Sequence, residues 1–129
     1  MEKPGTINYD IFLRSRKFSL AILKFCHLIR KAGIEYFLRD QIGRSGTSIG
    51  ANLHEAKSSS SKKEFCRFYE IALRSCHETM YWLDLINDCY SIEETNKLKS
   101  ELTELIKIIS SIILKIKIKI KEENNKVKN

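Results

Sequence analysis

Three groups of residues in this chain have types and spacings that could do chemistry. Gln41, Arg44, Ser48, Asn52 and Glu55 recur every three or four positions, so on a helix they share one face. They form a stripe of donors and acceptors, where a merely solvated helix would carry Lys and Glu. Lys57, Lys62, Lys63 and Arg67 surround a serine run, and Lys115, Lys117, Lys119 and Lys121 follow near the C-terminus. Cations grouped in this way suit phosphate contact. The third group is the two pairs Cys26-His27 and Cys76-His77, which combine the ligand types that zinc prefers.

The zinc reading is weak on geometry. Adjacent helical residues point about 100° apart, and none of Cys26, Cys66, Cys76 and Cys89 has a CxxC partner. The cysteines read as reduced thiols filling apolar space, and no metal or cofactor is expected. His54 reads as a surface or interface histidine rather than a base. A di-iron bundle needs Glu-x-x-His pairs, but His54-Glu55 and His77-Glu78 are adjacent and reversed. GRSGTSIG lacks the lysine of a phosphate-binding loop and lies within a helical pattern, and no G-x-S-x-G elbow is present. Nucleophile, base and orienting group never converge, so the expectation is a protein that is not an enzyme.

Composition sets the wider bounds. The 129 residues suit one domain, and 43% hydrophobic with 30% charged residues excludes a disordered or membrane-embedded chain. Lys107, Lys115, Lys117 and Lys119 interrupt the most apolar segment, Leu102 to Ile120, which argues against a membrane span. MEKPGTINYD has no apolar signal region, so the expected place of work is the cytoplasm. A net charge of +7 favours anionic partners, RNA or DNA first and an anionic membrane second.

The elements that must position these groups read as four helices. The first spans about 10–32, with Phe18, Ile22, Phe25 and Ile29 in register and Gly33 in place to end it. The second spans about 35–57, with Leu38, Ile42, Ile49, Leu53 and Ala56 on its apolar face and Gly43, Gly46 and Gly50 on a third. Each glycine costs about 1 kcal/mol of helix stability relative to alanine, so something must approach that surface closely. After the loop Ser58 to Ser61, a Ser61–Glu64 capping box opens the third helix. Its stripe is Phe65, Phe68, Ala72, Cys76, Thr79, Leu83 and Ile86, and a second box, Ser91–Glu94, opens the fourth.

LKIKIKIK alternates like a strand, but Leu98, Leu102, Leu105, Ile109, Ile112, Ile113, Ile116 and Ile120 fall within about 100° of a helical wheel. Helix is therefore expected, with 122–129 as a disordered tail. The fold class is all-α: one antiparallel up-down-up-down four-helix bundle over residues 1–121.

In that topology Lys57, Lys62, Lys63 and Arg67 share one end of the bundle with Lys115, Lys117, Lys119 and Lys121, either as a phosphate-binding surface or as a solvated basic end. The Arg44–Ser48–Asn52–Glu55 stripe has three readings: a buried network with Glu78 as the partner of Arg44, a face for a neighbouring subunit, or an idle solvated edge. Trp82, beside Tyr81, reads as a core or interface anchor.

RSGTSIGANLHEA, followed by SKKEF, IAL and ETMYWLDLI, resembles bacterial four-helix bundle proteins known as 23S rRNA-intervening sequence proteins. That family includes the accessory variability determinant of diversity-generating retroelements. The resemblance covers essentially the whole chain and is most specific from Gln41 to Ile86. It implies a ring-like homopentamer without catalytic residues. The retroelement relatives imply a basic surface that binds nucleic acid and a reverse transcriptase. Arg44, Ser48, Asn52 and Glu55 match the signature helix by motif, and Glu78 and Trp82 match the third helix.

The expected function is thus a non-enzymatic, oligomeric, basic bundle that contacts RNA or DNA. The alternative is a protein–protein adaptor that docks a partner enzyme such as a reverse transcriptase, with the charge incidental.

Overall fold

A computed structural model describes residues 6–128 as four helices: α1, Thr6–Lys31; α2, Tyr36–Ala56; α3, Lys62–Tyr90; and α4, Glu94–Lys128. Each packs on its neighbours in a closed square, α1 on α2, α2 on α3, α3 on α4 and α4 on α1. No diagonal pair touches among the described residues. This is the up-down-up-down arrangement that short connections between successive helices dictate.

The connections follow from local chemistry. Gly33 adopts a φ of +79°, a left-handed conformation with no Cβ penalty. Around it the Ile34 N–H donates to Ile29 O (3.0 Å) and the Gly33 N–H to Arg30 O (3.1 Å), the two bonds of a Schellman cap. At the head of α3, Ser61 Oγ accepts from the Glu64 N–H at 3.1 Å. The Glu64 carboxylate reaches back, but to the Ser60 hydroxyl (2.9 Å), one residue before the expected position.

The second capping box does not form as the sequence predicts. Ser91 has a φ of 54° and closes α3, its N–H donating to Asn87 O at 2.7 Å. The chain has only Ser91 to Glu93 in which to reverse, and the left-handed residue makes that reversal. Instead of a serine cap, the Thr95 hydroxyl donates to Ile92 O (2.7 Å) at the entry to α4.

The core is one apolar column. Phe18, Ile22, Phe25 and Ile29 from α1 meet Leu38, Ile42, Ile49, Leu53 and Ala56 from α2, all buried as their spacing predicts. On α3 the column differs over the first two turns: Cys66 and Tyr69 are buried, while Phe65 and Phe68 are only half-buried. Phe65 instead stacks on Tyr69 with ring centroids 4.5 Å apart. From Ala72 to Ile86 the expected residues are the buried ones.

α4 is helical throughout, so its isoleucine–lysine alternation does not make a strand. It also continues to Lys128, so 122–128, expected as a disordered tail, extend the helix. A cross-helix ion pair between Lys62 and Glu123 joins this extension to the start of α3. Asp84–Lys99 (2.5 Å) and Glu70–Lys117 (3.1 Å) fix the antiparallel register of α3 and α4 along the rest of their length.

Candidate nucleic-acid interface

The glycine face of α2 explains itself first. A Cβ at Gly46 would lie 2.7 Å from Cγ1 and 2.8 Å from Cγ2 of Ile22, so α1 approaches the α2 backbone directly there. The close approach expected of that surface is thus intramolecular, with α1 as the occupant.

The polar stripe separates into three pieces. Arg44 is exposed, and its Nε lies 3.1 Å from both carboxylate oxygens of Asp40, one turn earlier on the same helix. Glu78 accepts instead from Trp82 Nε1 at 3.1 Å, so the Arg44–Glu78 partnership of the buried-network reading does not form. An arginine that stays in water finds a carboxylate one turn away at less entropic cost than one across a helix interface.

Between Arg44 and Glu55 a real interhelical link exists. Asn52 Nδ2 donates to Ser48 O (2.8 Å) and Ser48 Oγ (3.0 Å), and Ser75 Oγ donates to Ser48 Oγ at 3.0 Å. It joins α2 to α3 through Ser75, a residue the sequence reading missed. The available signal was a serine one turn before Thr79, whose hydroxyl donates to Ser75 O at 2.6 Å. Glu55 is exposed and stands outside this link.

Trp82 is half-buried rather than in the deep core. Its ring meets Phe37 edge-on at 5.8 Å and Tyr81 at 5.1 Å, while Phe37, Tyr81 and neighbouring Tyr36 are exposed. The result is an aromatic cluster on the α2–α3 side of the bundle. Phe37 opens α2 beside Tyr36 and carried no heptad signal, so only packing brings it to Trp82.

The basic residues converge in part. The Lys62–Glu123 and Lys117–Glu70 pairs bring the start of α3 and the end of α4 to one end of the bundle, as the topology predicts. These carboxylates also engage two of the eight expected phosphate contacts. Lys63, Arg67, Lys115, Lys119 and Lys121 are exposed there, with no carboxylate partner among the described residues. Lys57 lies at this end too but faces the α1 flank, its Nζ 4.3 Å from the centroid of Phe12 on α1.

Burial, with a smaller contribution from Glu70, raises the pKa of the Cys66 thiol; burial alone pushes Cys76 up to about 12. Cys76 is buried while His77 is exposed, so that pair diverges. Among the described residues, no three His, Cys, Asp or Glu side chains come together as metal ligands. No described helix is long and apolar enough to cross a membrane.

The model of the 23S rRNA-intervening sequence protein family matches residues 8–111. The chain belongs to this family. A crystal structure of a protein of unknown function, from the S23 ribosomal protein family of Bacteroides thetaiotaomicron VPI-5482, is similar at 34% identity and a TM-score of 0.77. The similarity covers 80% of this chain and 97% of that one. No curated protein matches. The 23S rRNA-intervening sequence match spans the whole polar stripe, Trp82 and the cations from Lys57 to Arg67. It ends before Lys115, so the C-terminal lysines lie outside the family segment.

Proposed function

We propose that the chain is a non-enzymatic, oligomeric bundle of the cytoplasm that contacts RNA or DNA phosphates through its basic end. One observation carries this reading: Lys63, Arg67, Lys115, Lys119 and Lys121 stand exposed at one end of a chain with net charge +7. Phosphate contact needs cations within reach of a strand, and each one that displaces a counterion steepens the dependence on salt.

The test is fluorescence anisotropy of a structured and a random-sequence RNA across a salt series. Micromolar or tighter binding that weakens steeply with salt, and that Lys63→Glu/Arg67→Glu lowers, is the expected result. Flat titrations at low salt would remove the nucleic-acid role.

The adaptor reading is favoured by a different observation. Two exposed apolar regions lie on different sides of the square. One is the aromatic cluster around Trp82 on α2–α3. The other is a groove of about 830 Å³ between α1 and α4, floored by Phe18, Ala21, Phe25 and Leu98 and flanked by Leu20 and Leu28. Two unlike surfaces on one chain are what a head-to-tail ring requires, and a homopentamer is the ring that the family resemblance implies. An assembled ring could dock a partner enzyme such as a reverse transcriptase without touching nucleic acid.

A further inference from the structure

On the α1–α2 flank, a second groove of about 490 Å³ is lined by Arg16, Ser19, Gly50, Ala51, His54 and Lys57, among others. Among the described residues its lining contains two cations, Arg16 and Lys57, one imidazole, His54, and no carboxylate. Arg16, His54 and Lys57 have no acidic partner among the described residues, whereas Lys62, Lys99, Lys107 and Lys117 each have one. The Phe12 ring, 4.3 Å from Lys57 Nζ, holds that ammonium over the groove. Gly50 lets α1 lie close against α2 at the floor of the groove, since a Cβ there would sit 3.2 Å from Ser19 Oγ and 3.4 Å from Ser15 O.

An ordinary explanation covers part of the cluster. His54 and Lys57 lie at the C-terminal end of α2, where a cation complements a partial negative charge of about half a unit. Arg16 comes from α1, and its guanidinium has no helix end of its own to serve there. Arg16 is a cation beyond what the α2 terminus calls for. Arg16, Ala51, His54 and Lys57 are all exposed, so a ligand chain can enter and leave along the rim.

We infer that this groove seats a backbone phosphate of a nucleic-acid strand, with Arg16 and Lys57 as its cationic rim and His54 as a hydrogen-bonding group beside them. The inference rests on the nucleic-acid reading above and adds a contact on a different flank from the α3–α4 end. An open rim and a backbone-deep floor suit one phosphodiester of a passing strand, and Arg16 can hold two of its oxygens.

The experiment uses the full chain and a labelled dodecameric oligouridylate, read by anisotropy across a salt series. Arg16→Gln/His54→Gln and Ala51→Glu are the groove variants. Thr103→Glu, exposed on α4, is the control with the same charge change as Ala51→Glu. Lys63→Glu/Arg67→Glu tests the basic end separately. All the substituted positions are exposed, and circular dichroism melts verify folding.

Ala51→Glu is expected to weaken binding about tenfold at ~0.1 M salt, with Thr103→Glu close to wild type. Arg16→Gln/His54→Gln, which removes the Arg16 charge, should lower the log–log salt slope by about 0.7. Amide shifts at Ser19, Gly50 and His54 on adding the oligonucleotide are expected as well. Groove variants that bind with wild-type affinity and slope would overturn the groove. If Lys63→Glu/Arg67→Glu alone loses binding, the basic-end reading stands and the groove falls. A wild-type chain that fails to bind at low salt overturns both.

Discussion

Cys76 and Tyr69 are completely buried on α3, and burial pushes each up to about 12, from 9.0 for the thiol and 10.0 for the phenol. In the unfolded chain each loses its proton near its ordinary value. Between about pH 9 and pH 12 the unfolded state therefore binds fewer protons than the folded one, and stability falls as pH rises. The urea midpoint is expected to drop from pH 9 upward. Tyr69→Phe should flatten the part of the drop above pH 10, since it removes the phenol and keeps the ring that stacks on Phe65. A midpoint unchanged between pH 9 and pH 11 would contradict the burial argument. Residue type and spacing alone put Cys76 in the core stripe. They did not do so for Tyr69, because Phe65 and Phe68 offered an equally apolar alternative at the start of α3.

At the scale of elements, the α1–α2 contact is the most sharply defined. Gly46→Ala removes a glycine from a helix interior, which by propensity alone would stabilise by about 1 kcal/mol. The added methyl meets Ile22 Cγ1 and Cγ2 at 2.7 and 2.8 Å, atoms on a branched Cβ that cannot swing away. Overpacking of this kind costs about 1–3 kcal/mol, so net destabilisation is expected in urea unfolding. In an Ile22→Ala background the clash disappears, and Gly46→Ala should become neutral or stabilising. Gly46→Ala equally destabilising in both backgrounds would sink this account. The glycines advertised a close approach, but the approaching partner was not legible. A helix carries no mark of which neighbour will lie against it.

For the whole molecule, the question is whether the α1–α4 groove and the aromatic cluster are surfaces for other copies of the chain. Leu20 and Leu23 of α1 are 53% and 55% exposed, a large apolar area for a free monomer. Light scattering coupled to size exclusion is expected to give about five times the 15.1 kDa chain mass. Leu20→Glu, at an exposed position, should reduce that mass without lowering helicity. A wild-type monomer at all concentrations would remove the ring, leaving the two apolar regions without a partner.

The helices, their core faces and the antiparallel order were legible because burial repeats every 3.6 residues and short loops leave successive helices few places to go. The basic end was legible for the same reason, since topology alone decides which termini meet. What the side chains do once they arrive was settled by tertiary structure. Arg44 takes Asp40 rather than Glu78, Ser75 joins Ser48, Lys57 leans on Phe12, and Glu123 and Glu70 engage two of the lysines. Such choices turn on a few ångströms of helix offset and rotation. Those are set by how Gly46 admits Ile22 and how α3 grips α4, and hydrophobic periodicity contains no information about either.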